Sequence, residues 1–242
     1  MPHIPTEQLT DFGTRIFVAA GAQPHIAERV SAALVKSDML GVHSHGTNLL
    51  PQDVKDIAEG EIQPDGLPFI VKDGLATALV DGRRGFGHVT GEYAARLAME
   101  KAAGNGAGIV SCVNTNHIGR IGEYPEMIAE AGLIGFCIVN AGPIVTPFGG
   151  LGRRLGTNPI AFGVPILGDH PLIVDFATSG AAGNKILVAR SKGVKIPTGW
   201  ILDSEGADST DPSDLLTEAI CCPSESTKAT GWASWWRSWP GS

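Results

Sequence analysis

Residues 113–140, VNTNHIGRIGEYPEMIAEAGLIGFCIVN, set the tightest limit on how this chain can fold. The apolar run GIVSCV leads into Asn114, Thr115, Asn116 and His117. A glycine-bracketed turn follows, Ile118-Gly119-Arg120-Ile121-Gly122. Ile121, Tyr124, Met127, Ile128 and Leu133 then recur on about one helical face, and a second apolar run, LIGFCIVN, closes the unit. Strand, polar turn, helix, strand is the βαβ pattern, which puts the loop at the carboxyl end of a parallel sheet. Open α/β sheets bind their ligands at that edge, so His117 and Arg120 are expected where chemistry is done. The same residues admit a plainer reading. In it His117 is a hydrogen-bonded structural histidine and the glycines only make the turn.

The chain of 242 residues is long enough for one large domain or two small ones. A net charge of −7 argues against nucleic acid and against anionic membrane surfaces as partners. No apolar run approaches a membrane span, and no signal-peptide pattern opens the sequence. Of the four cysteines, Cys112 and Cys137 fall in apolar runs expected to be buried strands, whereas Cys221 and Cys222 are adjacent in an unusual tail. No paired ligand motif suggests a metal, and a reducing cytoplasm is the expected location.

Two helices open the chain. Thr6 is the expected N-cap of the first, with Leu9, Phe12, Ile16 and Phe17 as its apolar stripe. Pro24 starts the second, striped by Ile26, Val30, Ala33, Leu34 and Met39. It runs into a second polar cluster, GVHSHGTN at 41–48, and a third helix carries Leu49, Leu50, Val54 and Ile57 to Gly60. PFIVKDG and ATALVDG, each closed by Asp-Gly, predict a hairpin. A helix is expected over 90–103. GNGAG after it lies between helix and strand, the reverse of the order a dinucleotide fingerprint needs, so it reads as a turn. Residues 141–165 read as a long irregular loop kept for function. PLIVDFATS predicts a strand whose small hydroxyl end allows a ligand to approach closely, or else an N-cap box for a helix over 181–190. IPTGWILDSEGADSTDP reads as a surface loop.

From Ala219 the text changes. Three of five tryptophans fall at positions 235–239, with neither strand nor helix periodicity. Back-translation shifted by two bases gives YLLPFGEHKGYGLGLVVEVLAG, whose valine across Trp235-Trp236 and alanine across Trp239-Pro240 are forced. Residues 219–242 are therefore expected to be an out-of-frame tail.

With SHG, NHIGRIGEY, PFGG, RLGTNP, DFATS and IPTGW…TDP in order, residues 6–218 resemble the malate/L-lactate dehydrogenase family, which includes ureidoglycolate, sulfolactate and diketogulonate oxidoreductases. Pairing GRIGEY with SHG resembles its hydroxycarboxylate dehydrogenase branch. The shifted tail resembles the family's next motif. The resemblance implies an α/β, non-Rossmann, sulfolactate dehydrogenase-like fold, incomplete at the C-terminus. It would have an N-terminal helical segment (1–62), an α/β cofactor- and substrate-binding core (63–218) and the tail (219–242). It implies a homodimer using NAD or NADP to interconvert a small 2-hydroxy acid and its 2-oxo acid, an oxidoreductase acting on CH–OH. His45 and His117 match the family's acid/base histidines, and imidazole suits a proton step near neutral pH. Ser44 would orient His45 or bind substrate. The cofactor-lining positions are His45, Gly119, Arg120, Ile121, Asp175, Phe176, Ala177, Thr178 and Ser179. Arg120 is also a candidate for a carboxylate or phosphate. Where some branches place a substrate-binding arginine after SHG, this chain has Asn48 and Leu49, a departure that bears on the substrate clamp. His3, His25, His43, His88 and His170 match no catalytic motif and read as surface or structural, and Arg153-Arg154 as a solvated or interface feature rather than a site. The alternatives are an inactive truncated fragment and a cyclic imino acid reductase.

Overall fold

The computed structural model describes residues 4–181, 183–216 and 220–221, so the expected tail lies outside the described residues apart from Ile220–Cys221. Two compact units are present. One takes residues 1–135 and 164–171, the other 136–163 and 172–242. No described helix is long and apolar enough to cross a membrane.

The first unit begins with α1 (Thr6–Ala19) and α2 (Pro24–Met39) packed against each other. Pro5, not Thr6, is the N-cap of α1, and no side-chain cap bond forms; Thr6 is already inside the helix. Pro24 occupies the first turn of α2, where its missing N–H costs nothing. Phe17, Ile26, Val30, Leu34, Ile62 and Phe86 form the buried cluster, joined by Leu49, Leu50, Val54, Ile57 and Val89. Phe12 and Met39, although in the apolar stripes, are exposed at 52% and 69%, because each lies at the margin of the face that this cluster covers.

A short 3-10 turn at His43–His45, another at Thr47–Leu49, and α3 (Leu50–Ala58) lead to the predicted hairpin of β1 (Phe69–Asp73) and β2 (Thr77–Asp81). The pairing is antiparallel, with a register shift between Ile70 and Lys72. After β2 comes α4 (Gly87–Asn105), three residues earlier than its expected start. β3 (Ile109–Val113) returns parallel to β2, pairing Thr77 with Ile109 through Asp81 with Val113. The sheet order is β1-β2-β3. The βαβ unit is thus β2–α4–β3, one element earlier than the sequence pattern placed it. The helix after His117, α5 (Glu123–Glu130), leads instead to β4 (Gly135–Ile138), which belongs to a different sheet. The pattern names strands and helices but not which strands pair. His117 still follows the carboxyl end of a parallel strand, β3.

In the second unit β4 pairs with β5 (Ile160–Val164), and β5 with β6 (Leu172–Phe176). β5 lies where an irregular loop was expected; its alternation of buried Ala161 and Gly163 with half-buried neighbours is the strand signal the prolines and glycines obscured. α6 (Gly183–Ser191) follows, starting later than Ala181. The stretch expected as a surface loop contains β7 (Ile201–Leu202) and β8 (Asp208–Ser209), ordered β8-β7-β9 with β9 at Ile220–Cys221. Ile196 and Ile201 of that stretch are buried with Val145, Leu155, Ile186 and Leu215. Cys112 and Cys137 lie in strands as expected but are half-buried, not buried.

Phe17 is fully buried and meets the Phe86 ring edge-on, with centroids 5.2 Å apart. Phe17→Ala is expected to destabilise the chain by about 3–5 kcal/mol, the usual cost of an aromatic-sized core cavity. Denaturant unfolding of both proteins measures it.

Candidate active site

His45, His88 and His117 all lie in the first unit, and local backbone devices place each of them. The SHG turn is held by Asp38 in the last turn of α2. Its Oδ1 lies 2.9 Å from His43 Nδ1; its Oδ2 accepts hydrogen bonds from Thr47 N–H at 2.8 Å and Thr47 Oγ1 at 2.6 Å. A Cβ at Gly46 would collide with the same carboxylate, so only glycine lets the turn close on Asp38. Burial pushes the Asp38 carboxyl up, but the two Thr47 hydrogen bonds and His43 outweigh it and hold it below its ordinary value. Inside the turn, Ser44 is buried and its hydroxyl lies 2.9 Å from His45 Nδ1. That bond fixes the ring's plane and assigns chemistry at His45 to Nε2. Asn48 is exposed in the following 3-10 turn, whereas Leu49 packs on the core.

The His117 loop is built on the β2–β3 pairing. Arg83, Arg84 and Asn114 all have positive φ, 51°, 56° and 50°, which for non-glycine residues is a cost that the surroundings must offset. Asp81 supplies part of the compensation: its Oδ1 accepts from Arg83 N–H at 2.7 Å and its Oδ2 from Asn114 Nδ2 at 2.7 Å. Asn116 adds more, donating its amide to the carbonyls of Arg84 at 2.7 Å, Glu61 at 3.2 Å and Gly85 at 3.2 Å. Gly119 has φ 75° and lies directly against His88 Nε2, where a side chain would not fit. The Tyr124 hydroxyl donates to the Ile118 carbonyl and locks the end of the loop.

Together these devices bring His45 and His117 into a stack, ring centroids 5.3 Å apart at 25°. His88, in the first turn of α4, meets His117 edge-on at 6.3 Å. Burial and then the adjacent His45 push the His117 imidazole down to about 4. One side of His117 remains open to solvent, which moderates the desolvation; the outcome at pH 7 is a neutral ring. His88 is only 3% exposed, and burial, followed by His117, Arg29 and His45, holds it well below its usual value. Its Nδ1 has no hydrogen-bond partner. Reading His88 as structural fits its burial, but its place beside His117 was not visible in the sequence.

Arg120 stands close in sequence to this cluster, yet its guanidinium is committed elsewhere. Glu126 Oε2 accepts from Arg120 Nη2 at 2.6 Å, and Lys36 Nζ lies 3.1 Å from the same oxygen. Ile121 and Gly119 are buried. A second, half-buried network joins Arg29 to Glu92 and to Glu123, the latter at 2.8 Å.

In the second unit, 175–179 follow β6. Asp175 and Phe176 are exposed, Ala177 and Thr178 half-buried and Ser179 buried. The Thr178 hydroxyl donates to the carbonyls of Thr157 at 3.0 Å and Asn158 at 3.1 Å, and Ser179 Oγ to that of Ala181 at 2.8 Å. These hydroxyls brace the strand end on the Thr157-Asn158 segment. Asn158, with φ 35° and 4% exposure, uses its Oδ1 to accept Ala141 N–H at 2.9 Å but leaves Nδ2 buried without a partner. A donor in that state is the kind of group that a bound ligand's acceptor satisfies. The Arg153 side chain is not simply solvated: it donates to the Leu215 carbonyl at 2.9 Å.

A profile of the malate/L-lactate dehydrogenase family matches residues 4–235. The chain belongs to this family. A malate dehydrogenase of Pyrococcus abyssi is 41% identical over 203 residues, 84% of this chain and 56% of the relative. The crystal structure of malate dehydrogenase from Entamoeba histolytica superimposes with a TM-score of 0.91 at 28% identity, covering 97% of this chain and 68% of that one. Δ1-Piperideine-2-carboxylate reductase from Pseudomonas syringae gives 0.90 at 29%, over 97% and 71%. The chain spans 56–61% of the length of the curated relatives it matches. This malate/L-lactate dehydrogenase family member has the expected α/β, non-Rossmann architecture.

Asp38 escaped the sequence reading because a carboxylate seven residues before a histidine has no periodic signature. Its depressed value means that the bonds it makes are fully present above the ordinary carboxylate range and are lost as pH falls through its own, lower value. Asp38→Ala is expected to release the SHG turn, broadening the His45 ring resonances in NMR spectra while far-UV circular dichroism stays unchanged.

Proposed function

We propose that this chain acts as an NAD- or NADP-dependent oxidoreductase that interconverts a small 2-hydroxy acid, malate- or lactate-like, and its 2-oxo acid. The observation that carries the reading is the stacked pair His45 and His117, with Ser44 holding Nδ1 of the first. Reducing a 2-oxo acid requires hydride at carbon and a proton at oxygen, and the nicotinamide supplies the hydride when bound. The protein's share is to orient the carbonyl and handle the proton. A neutral His117 presents one N–H to the substrate oxygen, and His45 Nε2 is the second group able to donate or accept there. Within the first unit, Gly119 and Ile121 are candidates to line NAD or NADP; the second unit, taken by itself, offers residues 175–179 and the Asn158 Nδ2. Arg120 is the weaker candidate because Glu126 already takes its guanidinium. Ser44 and exposed Asn48 are the neutral groups offered to the substrate carboxylate. A neutral clamp gives weaker hydrogen bonds than an arginine would.

A homodimer and a cytoplasmic location complete the proposal; the free thiol of Cys112 suits a reducing compartment. The reductase from Pseudomonas syringae supports a second reading, reduction of a cyclic imino acid at the same histidines.

Saturable NADH or NADPH oxidation by the purified chain with pyruvate-like 2-oxo acids is the expected result, with a cyclic imine carboxylate as comparator. No turnover with either cofactor and either substrate class would favour the inactive fragment. His117→Ala is expected to lower kcat by about 10²–10⁴, the usual share of general acid–base catalysis. Wild-type-like turnover in that variant would remove His117 from the mechanism.

A further inference from the structure

A cavity of about 60 Å³ adjoins His117, lined among others by Asp53, Asp56, Phe86, His88, Asn116 and His117. Its volume suits about two water molecules. Phe86 and Ile62 close it on the apolar side, while two carboxyls, two imidazoles and an amide offer polar partners. His88, 3% exposed, lines this cavity, and its Nδ1 has no hydrogen-bond partner. A buried ring nitrogen without a protein partner calls for an ordered water, and a polar, water-sized space beside the ring can hold one.

Asp53 belongs to α3 and is half-buried. Burial, and then the like charge of Asp56 one turn on, raise its carboxyl to about 7. The other titratable groups at this cavity are Asp56, whose Oδ1 accepts from Gln52 at 2.6 Å, and the imidazoles of His88 and His117, both held low. The nearby charges of α3 and the turn after it are paired at the surface: Lys55 with Glu59 at 3.7 Å, and Glu61 with Arg84 at 3.0 Å. The cavity therefore holds one acid poised near neutrality beside a histidine that stays neutral.

That combination answers a difficulty in the proposed reaction. A neutral His117 carries one proton, and giving it to substrate requires a replacement on the other nitrogen. We propose that Asp53 is the proton reservoir for His117, acting through water held in this cavity. The inference rests on the 2-oxo acid oxidoreductase reading above. In reduction, the Asp53 O–H bond breaks as its proton passes to a cavity water. The water passes a proton to one nitrogen of His117. The N–H on the other nitrogen breaks and its proton forms the new O–H of the hydroxy acid, while hydride from the reduced nicotinamide reaches the carbon. Asp53 is left as the carboxylate and recovers its proton from solvent across its exposed part. His117 is left as the other tautomer and resets by exchange at its open face. No free imidazolium forms, which suits a ring that burial keeps neutral.

The test compares the full chain with Asp53→Asn, Asp53→Glu and Asp56→Asn. Two quantities are followed from pH 5.5 to 8.5: the ¹⁵N shifts of the His117 ring, and turnover of a 2-oxo acid with NADH. In the wild type the His117 shifts should move with a midpoint near 7, reporting the ionisation of Asp53 across the water, and kcat for reduction should fall above it. Asp53→Asn should abolish that midpoint and lower kcat about tenfold at pH 6 with KM unchanged, less than removal of a group touching substrate. Asp53→Glu should keep the midpoint and most of the turnover. Asp56→Asn should move the midpoint down without removing it. A midpoint and pH profile in Asp53→Asn that match the wild type would overturn the proposal. If the wild type shows no turnover, the 2-oxo acid oxidoreductase reading fails separately, and a midpoint near 7 that persists in Asp53→Asn still overturns the link between Asp53 and His117.

Discussion

The candidate site depends on the five-residue parallel pairing of β2 with β3. That pairing brings the loop after Asp81 and the loop after Val113 side by side, and the backbone seals them: Gly82 N–H donates to the Val113 carbonyl at 2.9 Å, and Arg84 N–H to that of Asn114 at 2.7 Å. Everything else at the His117 side follows from this contact. It places His88 at the start of α4 against Gly119, and it gives Asn116 the three carbonyls that satisfy its amide. It also holds three non-glycine residues at positive φ, each at a cost of order 1–3 kcal/mol. Strain concentrated in two adjoining loops, and offset by Asp81 and Asn116, is the mark of a loop kept in one conformation for a purpose.

A second constraint acts from the other side. Asp38 ties the end of α2 to the SHG turn, so His45 is carried by the helical core under it rather than by the sheet. The two histidines thus approach from separately braced elements and meet at 5.3 Å. Their mutual proximity disfavours a charge on His117, and burial disfavours it more. The site keeps His117 and His88 neutral, and its acidic reserve lies in a carboxyl, Asp53.

The fold was legible in the sequence to the extent that it rests on local pattern. The two opening helices, the Asp-Gly hairpin and the strand ending at Phe176 follow from apolar spacing and turn residues, and the structure keeps them. The ordered motifs carried the family, and with it the expectation placed on His45 and His117. The misplaced βαβ unit shows where pattern stops: β3 and β4 are both short apolar runs flanking one helix, yet β3 pairs with β2 while β4 pairs with β5. Similarly, the glycines and prolines of the long loop hid β5, and the turn-rich stretch near 200 hid two core isoleucines.

The sequence by itself determined most of the helical and extended segments, because periodicity is a local property, and its ordered motifs carried the family. Only the tertiary structure decided that Arg120 answers to Glu126, that His88 adjoins His117, that Asp38 clamps the SHG turn and that Asp53 opens onto a water-sized cavity. Each of these depends on distance, burial and the charge of a neighbour remote in the chain. Such quantities exist only after folding has brought the elements together.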